Sequence, residues 1–330
     1  MVRSPRIVLA GSVSFSRVTL ETLIRLGATI CGTLGLDPAA ARQVSDYARL
    51  DDVAAAAGIP YVGFTKINAP EIVAQLRAWS PDALFVVGLS QLVQDEILSI
   101  PHVGAIGFHP TPLPRGRGRA PVAWLTWDGD SGAATFFVLE RQADSGAIFV
   151  QEPFAVRRDA YAGEVIEAVR AAIIRGIERW GPRLLAGEWN PIPQDEQRAT
   201  FWGKRAPEDG LIDWSRPASE IARLVRTASR PYPGAYTFAR DHRVRIWRAS
   251  TVDLPFRGVV GRVLNAWPDG SLLVQTGDGL LRVEELEIVD GELSGHAWVG
   301  QKLGYDQDEE IFRLRERVRL LEKRLEQAPI

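Results

Sequence analysis

Cysteine and histidine are scarce in this 330-residue chain, and their scarcity excludes several kinds of site. The single cysteine, Cys31, excludes an intrachain disulfide and a zinc site built from cysteines. The four histidines form neither an HExxH pattern nor an HxH pair. We therefore expect no metal site and no disulfide framework.

Long apolar runs and an excess of charge of one sign are also missing. No run of about 18 apolar residues occurs, which excludes a membrane-spanning helix, and no signal-peptide pattern is seen. The net charge of −2 argues against a broadly basic surface for nucleic acid. We expect a cytoplasmic protein that does not associate with membranes.

Two nucleotide-binding motifs are absent as well. The turn after the first predicted strand reads AGSVSF, which is not the G-x-G-x-x-G fingerprint of dinucleotide-binding folds, and no G-x-x-x-x-G-K-[ST] loop occurs. Hydrophobic residues make up 46% of the chain, which is ordinary for a globular protein. A chain of this length is expected to form two domains.

The first half of the chain alternates between strand and helix patterns. Apolar runs at 6–11, 28–35, 83–87, 105–108, 133–139 and 148–156 are of strand length, and helical spacing occurs at 16–26, 40–57, 69–78, 94–98, 120–127 and 162–185. Such alternation predicts an α/β fold with a Rossmann-like, mostly parallel sheet. We place this domain at residues 1–190.

The second half of the chain differs from the first in composition and in its predicted secondary structure. Residues 191–203 are rich in proline and polar residues and are predicted to be a linker. Residues 204–305 begin with one helix and continue as short β-type runs separated by Gly/Asp turns, which predicts a small, OB-like β-barrel.

Residues 306–330 are predicted to form a helix of about two heptads. Its apolar residues repeat at spacings of three and four and are Ile311, Leu314, Val318, Leu321 and Leu325. The helix either packs on its own domain or joins two copies of the chain into a homo-oligomer, such as a dimer. Two heptads alone are marginal as a coiled coil.

The most unusual segment is 104–121, GAIGFHPTPLPRGRGRAP. Pro110, Pro112 and Pro114 fix φ, and Gly116 and Gly118 permit tight turns. The segment is therefore expected to be a stiff loop at the carboxyl end of a parallel strand, where open α/β sheets bind ligands. His109 in this loop is a candidate general base, and the alternative is a structural histidine in a turn.

Asp144 lies in an Asp-Ser-Gly turn between two apolar strands. A carboxylate in such a turn commonly caps the backbone. It is also a candidate to orient His109, as carboxylates do in imidazole–carboxylate pairs.

These motifs make the sequence similar to the formyltransferase family that uses N10-formyltetrahydrofolate. The family pattern is Asn-x-His, a Ser-Leu-Leu-Pro-like stretch, Arg-Gly and then Asp-x-Gly. The corresponding stretches here are residues 107–109, 111–114, 117–118 and 144–146, and the resemblance continues through 204–236 and the GDG triplet at 277–279. The stretches RGRAP and RAPEDGLIDW resemble most those of family members that act on UDP-4-amino-4-deoxyarabinose.

The resemblance implies direct formyl transfer from the folate co-substrate to an amine, without a covalent enzyme intermediate. His109 would exchange the proton with the amine or the developing oxyanion, and Asp144 would orient His109 and raise its pKa. The folate would lie along residues 87–91. The expected folate contacts are Val87, Gly88, Leu89, Gln91, Leu113, Arg115 and Asp144, and the expected acceptor contacts are Thr111, Arg117 and Arg119.

One position departs from the family pattern. Gly107 stands where the family has the asparagine that is expected to hold the formyl oxygen, so it is treated as part of the catalytic set. Losing one oxyanion donor can cost about 3 kcal/mol of transition-state stabilisation. Thr111 or Gln91 is a candidate replacement.

Three acceptors remain open at this point. A small amine, most simply a nucleotide-linked amino sugar, is favoured because residues 36–50 contain two arginines and no lysine, whereas the tRNA-specific members are expected to carry a lysine-rich insertion there. The alternatives are methionyl-tRNA, and hydrolysis of formyltetrahydrofolate or folate binding without catalysis. We do not expect nucleic acid as a partner.

Overall fold

The structure is a computed structural model that describes residues 3–240, 242–289, 298–305 and 307–326, with the side chains of 307, 325 and 326 left aside. The chain divides into two compact units. The first contains residues up to Ala206 together with Arg230–Pro233, and the second contains Pro207–Ser229 and the residues from Gly234 onward. The division after Ala206 lies beyond the expected linker 191–203. Within the described residues, no helix is long and apolar enough to cross a membrane.

The first unit contains nine strands and six α-helices among its described residues. The strands are β1 (Arg6–Gly11), β2 (Thr29–Leu36), β3 (Tyr61–Phe64), β4 (Ala83–Val87), β5 (Gly104–His109), β6 (Arg117–Gly118), β7 (Gly132–Val138), β8 (Ile148–Phe154) and β9 (Phe201–Trp202). The helices are α1 (Ser14–Arg25), α2 (Asp51–Ala56), α3 (Pro70–Trp79), α4 (Asp95–Leu98), α5 (Pro121–Asp128) and α6 (Ala162–Leu185).

Seven of these strands form one sheet in the order β3-β2-β1-β4-β5-β7-β8. The first five strands in this order are parallel, and β7 and β8 extend the sheet on one side through antiparallel pairing. Alternate residues of β1 enter opposite cores: Ile7 and Leu9 face the α1 and α6 side, while Val8 faces the other side. Helices therefore cover both faces, which confirms the Rossmann-like prediction.

Two expectations for this unit differ from the structure. Residues 38–50 form turns rather than the first part of a helix over 40–57, and only α2 is helical there. The expected linker is instead tied into the first unit, because β9 pairs with β6 and Ile192 exchanges backbone hydrogen bonds with Ile148.

The second unit begins with helix α7 (Ala218–Ala228) and continues as a five-stranded antiparallel sheet. Its strands are β10 (Ala235–Ala239), β11 (His242–Val252), β12 (Val263–Ala266), β13 (Leu272–Gln275) and β14 (Leu280–Ile288), in the order β10-β11-β14-β13-β12. The backbone of Leu303 bridges to Ala239 beside one edge, and Lys302 bridges to Arg262 beside the other. This short segment links both edges of the sheet, as the prediction of a small barrel requires.

The chain ends in helix α8 (Gln307–Glu326). All described side chains from 311 to 324 are exposed, including those of Ile311, Leu314, Val318 and Leu321. Packing on its own domain, one of the two alternatives for this helix, is therefore wrong for these residues. The side chain of Leu325 lies outside the described set.

Candidate active site

A cavity of about 590 Å³ lies where the carboxyl ends of β1, β4 and β5 meet. The strand order reverses between β1 and β4, which is the topological switch point at which open α/β sheets bind ligands. Ser12, Gly88 and His109 follow or end these three strands, and all three line the cavity. Every lining residue belongs to the first unit.

Side chains from other parts of the first unit form hydrogen bonds with the backbone of the loop after β5. The Thr135 hydroxyl donates to the Thr111 carbonyl at 2.6 Å, and the Gln151 amide donates to the Leu113 carbonyl at 2.6 Å. Further along, the Thr200 hydroxyl accepts from the Gly116 N–H at 2.9 Å. Because the prolines leave few backbone donors in this loop, Thr135, Gln151 and Thr200 supply part of its hydrogen bonding from outside.

His109 is buried at the end of β5, with 5% of its surface exposed. Its Nε2 lies 2.8 Å from the Gly116 carbonyl oxygen, and its Nδ1 lies 3.7 Å from Asp144 Oδ2. A carbonyl can only accept, so Nε2 carries a proton in this arrangement. Nδ1 is then the basic nitrogen, and a proton taken up there would face the Asp144 carboxylate.

The electrostatics of His109 favour the neutral ring. Burial lowers the pKa of His109 below its usual 6.5, and the nearby Asp144 carboxylate and the Gly116 carbonyl oppose this shift without cancelling it. A neutral imidazole at pH 7 can accept a proton, which is what a general base requires.

Asp144 is held in place by the backbone. Its Oδ2 accepts from the Gly118 N–H at 2.8 Å, and its carbonyl accepts from the Gln194 amide at 2.8 Å. Its φ of +56° is rare for a residue other than glycine. The structure thus brings Asp144 and His109 together as expected, on supports that include Gln194 from the segment predicted to be a linker.

Gly107 faces an apolar wall. In the antiparallel ladder between β5 and β7, Gly107 is directly opposite Phe137. A Cβ added at Gly107 would lie 2.8 Å from Phe137 Cζ and 3.1 Å from Leu139 Cδ1. The space that a side chain at 107 would need is therefore filled, and Phe137 and Leu139 form the cavity wall there.

The segment after β4 provides the other wall. Gly88 has a φ of +59°, and a Cβ there would lie 2.2 Å from Val13 Cγ2, so only glycine fits this turn. Gly88, Leu89 and Gln91 line the cavity, whereas Val87 is fully buried in the sheet. Gln91 accepts from the Ile67 N–H and donates to the Thr65 carbonyl, so its amide is already engaged at both ends.

Several residues expected to contact ligands lie elsewhere. Thr111, Leu113 and Arg117 are buried behind the cavity wall, and Arg115 is exposed outside it. The Arg117 guanidinium makes two hydrogen bonds to the Glu196 carboxylate, at 2.8 and 2.6 Å, and this contact raises its pKa. Arg117 is placed to hold the loop together, and Arg119 is the expected acceptor contact that does line the cavity.

The lining residues that were not predicted from the sequence include Ser12, Asp46 and Tyr232. Ser12 follows β1, and its hydroxyl donates to the Gly88 carbonyl at 2.7 Å. Asp46 accepts from the Ser14 hydroxyl, and burial raises the pKa of Asp46. Burial also raises the pKa of Tyr232, so its phenol stays neutral and can donate a hydrogen bond. Only the Arg-Pro-Tyr-Pro-Gly run around Tyr232 offered a sequence signal, as a rigid turn.

No group of three or more metal-ligating side chains occurs among the residues that the structure describes. The cavity instead combines apolar walls with a few polar groups, which is typical of sites for small organic ligands.

Comparisons with known proteins agree with this architecture. Residues 46–177 match the family model "Formyl transferase", and residues 204–301 match "Formyl transferase, C-terminal domain". A methionyl-tRNA formyltransferase from Chloroflexus aurantiacus is 33% identical over 298 residues, which cover 89% of this chain and 96% of that protein.

Solved structures share the fold at low sequence identity. HypX from Aquifex aeolicus in complex with tetrahydrofolic acid has a TM-score of 0.64 at 16% identity, over 86% of this chain and 44% of HypX. The chain thus spans less than half the length of HypX. An N-formyltransferase from Helicobacter canadensis in complex with folinic acid and dTDP-3-aminofucose has a TM-score of 0.59 at 12% identity, over 86% of this chain and 99% of that one.

Proposed function

Because the chain belongs to the formyltransferase family, we propose that it transfers the formyl group of N10-formyltetrahydrofolate to the primary amine of a small acceptor, most simply a nucleotide-linked amino sugar. The observation that carries this proposal is the buried His109–Asp144 pair beside a cavity at the switch point of the sheet.

The walls of the cavity suit a flat, partly apolar co-substrate. Val86, Leu89, Val93 and Leu139 line it, and the backbone turn at Gly88 borders it. Folate compounds are bound in the crystals of HypX and of the Helicobacter canadensis enzyme named above. The folate supplies an activated formyl carbon, and the protein must position it against the amine.

His109 and Asp144 handle the proton in this proposal. As the amine nitrogen bonds to the formyl carbon and the bond from that carbon to N10 breaks, Nδ1 of His109 takes the proton that the amine loses. Asp144 stabilises the resulting imidazolium, and the proton passes to the departing N10. With Phe137 and Leu139 in front of Gly107, the cavity offers no side-chain amide at that strand position to the formyl oxygen.

The acceptor side of the cavity favours a small ligand. Residues 43–46 line the cavity, and their loop is tied to the turn between β1 and α1, because the Ser14 N–H donates to the Asp46 carbonyl and the Ala48 N–H to the Ser12 carbonyl. Arg49, one of the two arginines in this loop, pairs with Asp51. A loop folded onto the site in this way is poorly suited to reach phosphates of a tRNA stem.

Methionyl-tRNA is the second candidate acceptor, because the Chloroflexus aurantiacus relative at 33% identity is a methionyl-tRNA formyltransferase. Hydrolysis of the formyl donor is the third, because Gly107 changes the surroundings of the formyl oxygen.

The test is product analysis by mass spectrometry after incubation with N10-formyltetrahydrofolate and each acceptor. We expect a formylated amino sugar with the wild type and none with His109→Ala. His102→Ala is the matched control, since His102 is exposed and bonds only to Ser80 among the hydrogen bonds described for its side chain. Formate release that is independent of any acceptor would contradict the transfer proposal.

A further inference from the structure

Helix α8 presents an apolar stripe that the rest of the described chain leaves uncovered. Ile311, Leu314, Val318 and Leu321 are 47%, 53%, 52% and 50% exposed. Their spacing assigns Ile311 and Val318 to heptad position a, and Leu314 and Leu321 to position d. β-Branched residues at a with leucine at d favour a parallel, two-stranded coiled coil.

The charged residues beside the apolar stripe also favour a parallel pair of helices. Between residues 310 and 322, positions g hold Glu310 and Arg317, and positions e hold Arg315 and Glu322. In a parallel pair, each g residue faces the e residue five positions later in the partner helix. Glu310 would then face the partner's Arg315, and Arg317 would face the partner's Glu322, so all four contacts join opposite charges.

The ion pairs within the helix leave these four residues available. The described pairs join Glu309 to Arg313 and Glu316 to Arg319, at positions b, c and f on the outer side. Among the described side chains, Glu310, Arg315, Arg317 and Glu322 have no ion pair along the helix. An antiparallel pair with the same four core residues would bring Arg315 and Arg317 each against its own copy, which costs energy.

We propose that α8 joins two copies of this chain through a short parallel coiled coil, with Ile311, Leu314, Val318 and Leu321 as its seam and Glu310–Arg315 and Arg317–Glu322 as its interchain ion pairs. Because two heptads give a marginal interface, the dimer forms with a dissociation constant that mass measurements across a concentration series can follow.

The first test is the mass of the full chain in solution, measured by analytical ultracentrifugation. We expect a monomer–dimer equilibrium for the wild type and a monomer at every concentration for L314E/L321E. F312E/L320E is the matched control, because Phe312 and Leu320 are 63% and 58% exposed but lie at positions b and c. A wild type that stays monomeric, or a control as disruptive as the seam variant, would overturn the proposal.

The second test addresses orientation by reversing charges. E310K/R317E sets like charges against each other in the parallel arrangement, so the dissociation constant should rise several-fold. Adding R315E/E322K in the same chain restores opposite charges and should restore the dimer. Failure of the four-fold variant to recover, while circular dichroism shows an intact fold, would rule out the parallel pairing.

Discussion

Substitutions at Gly107 and Phe137 are predicted to have non-additive effects on the free energy of unfolding, because the Phe137 ring occupies the space beside Gly107 in the ladder between β5 and β7. In Gly107→Ala the new Cβ would lie 2.8 Å from Phe137 Cζ, a distance that real Cβ contacts do not show. Phe137 is only 1% exposed and lines the cavity, so its ring can give way only on the cavity side. Overpacking of this kind costs about 1–3 kcal/mol in free energy of unfolding.

The perturbation is best measured as a double-mutant cycle. Phe137→Leu alone should also destabilise the first unit, because it leaves a void in the core. In Gly107→Ala/Phe137→Leu the smaller side chain gives room to the new methyl group, so the two costs should not add. We expect a coupling free energy of about 1 kcal/mol, above the roughly 0.5 kcal/mol that independent sites show.

Urea unfolding followed by tryptophan fluorescence supplies the four free energies of the cycle. Gly203→Ala is the matched control, because a Cβ at Gly203 meets nothing within 4 Å. It should change stability by no more than about 0.5 kcal/mol. If Gly107→Ala is as neutral as this control, or if the two substitutions add, then steric exclusion does not explain the glycine at position 107.

Three further predictions concern the neighbouring residues. In Asp144→Asn, the pKa of His109 should fall further, because the carboxylate that raises it is lost. The acid limb of the pH–rate profile should then move to lower pH and the plateau rate should drop about 10²-fold or more. An unchanged profile would show that Asp144 takes no part in the proton transfer. Because the folded-state pKa of His109 lies below its usual 6.5, the unfolded chain binds more protons below that pH. The free energy of unfolding should therefore fall with decreasing pH, by up to about 1.4 kcal/mol per pH unit. His109→Gln should lack this pH dependence in urea unfolding at pH 5 to 7, and equal dependence of the free energy on pH in the two proteins would contradict the prediction. Arg117→Met should lower the free energy of unfolding by about 1–3 kcal/mol and leave the KM of the acceptor unchanged, since Arg117 binds Glu196 and does not line the cavity. A raised KM with unaltered stability would instead support the expected role of Arg117 as an acceptor contact.

The sheet could be predicted because its strands are short apolar runs set between helices with a 3.6-residue period. Helix α6 illustrates this, since Val165, Val169, Ile173 and Ile177 face the core just as their spacing indicates. The same reasoning gave a wrong prediction for residues 40–50, which form turns and no helix. Their alanines favour a helix, but the loop is held as turns by bonds to Ser12 and Ser14 that no local pattern reveals.

The motif resemblance indicated that His109 and Asp144 act together, but the strand order did not. Because β7 runs antiparallel to β5, the connection that carries Asp144 leaves β7 beside the start of β5, and only its path back brings Asp144 to within 3.7 Å of His109. The role of Arg117 was not predictable either. An arginine in a glycine-rich loop is typical of a ligand contact. The partners of Arg117, Gln194 and Glu196, lie 77 and 79 residues further on, in the segment predicted to be a linker. The wall formed by Phe137 depends on the register between β5 and β7, which sequence spacing does not supply.

A competition between two acceptors tests the central claim most directly. The protein is incubated with N10-formyltetrahydrofolate and equal concentrations of a nucleotide-linked amino sugar and methionyl-tRNA, and both formylated products are quantified by mass spectrometry. We predict a kcat/KM for the sugar that greatly exceeds that for the tRNA, and loss of both products in His109→Ala. Preferential formylation of the tRNA would contradict the assignment of a small-molecule acceptor and would show that the loop at residues 43–46 opens for a larger substrate.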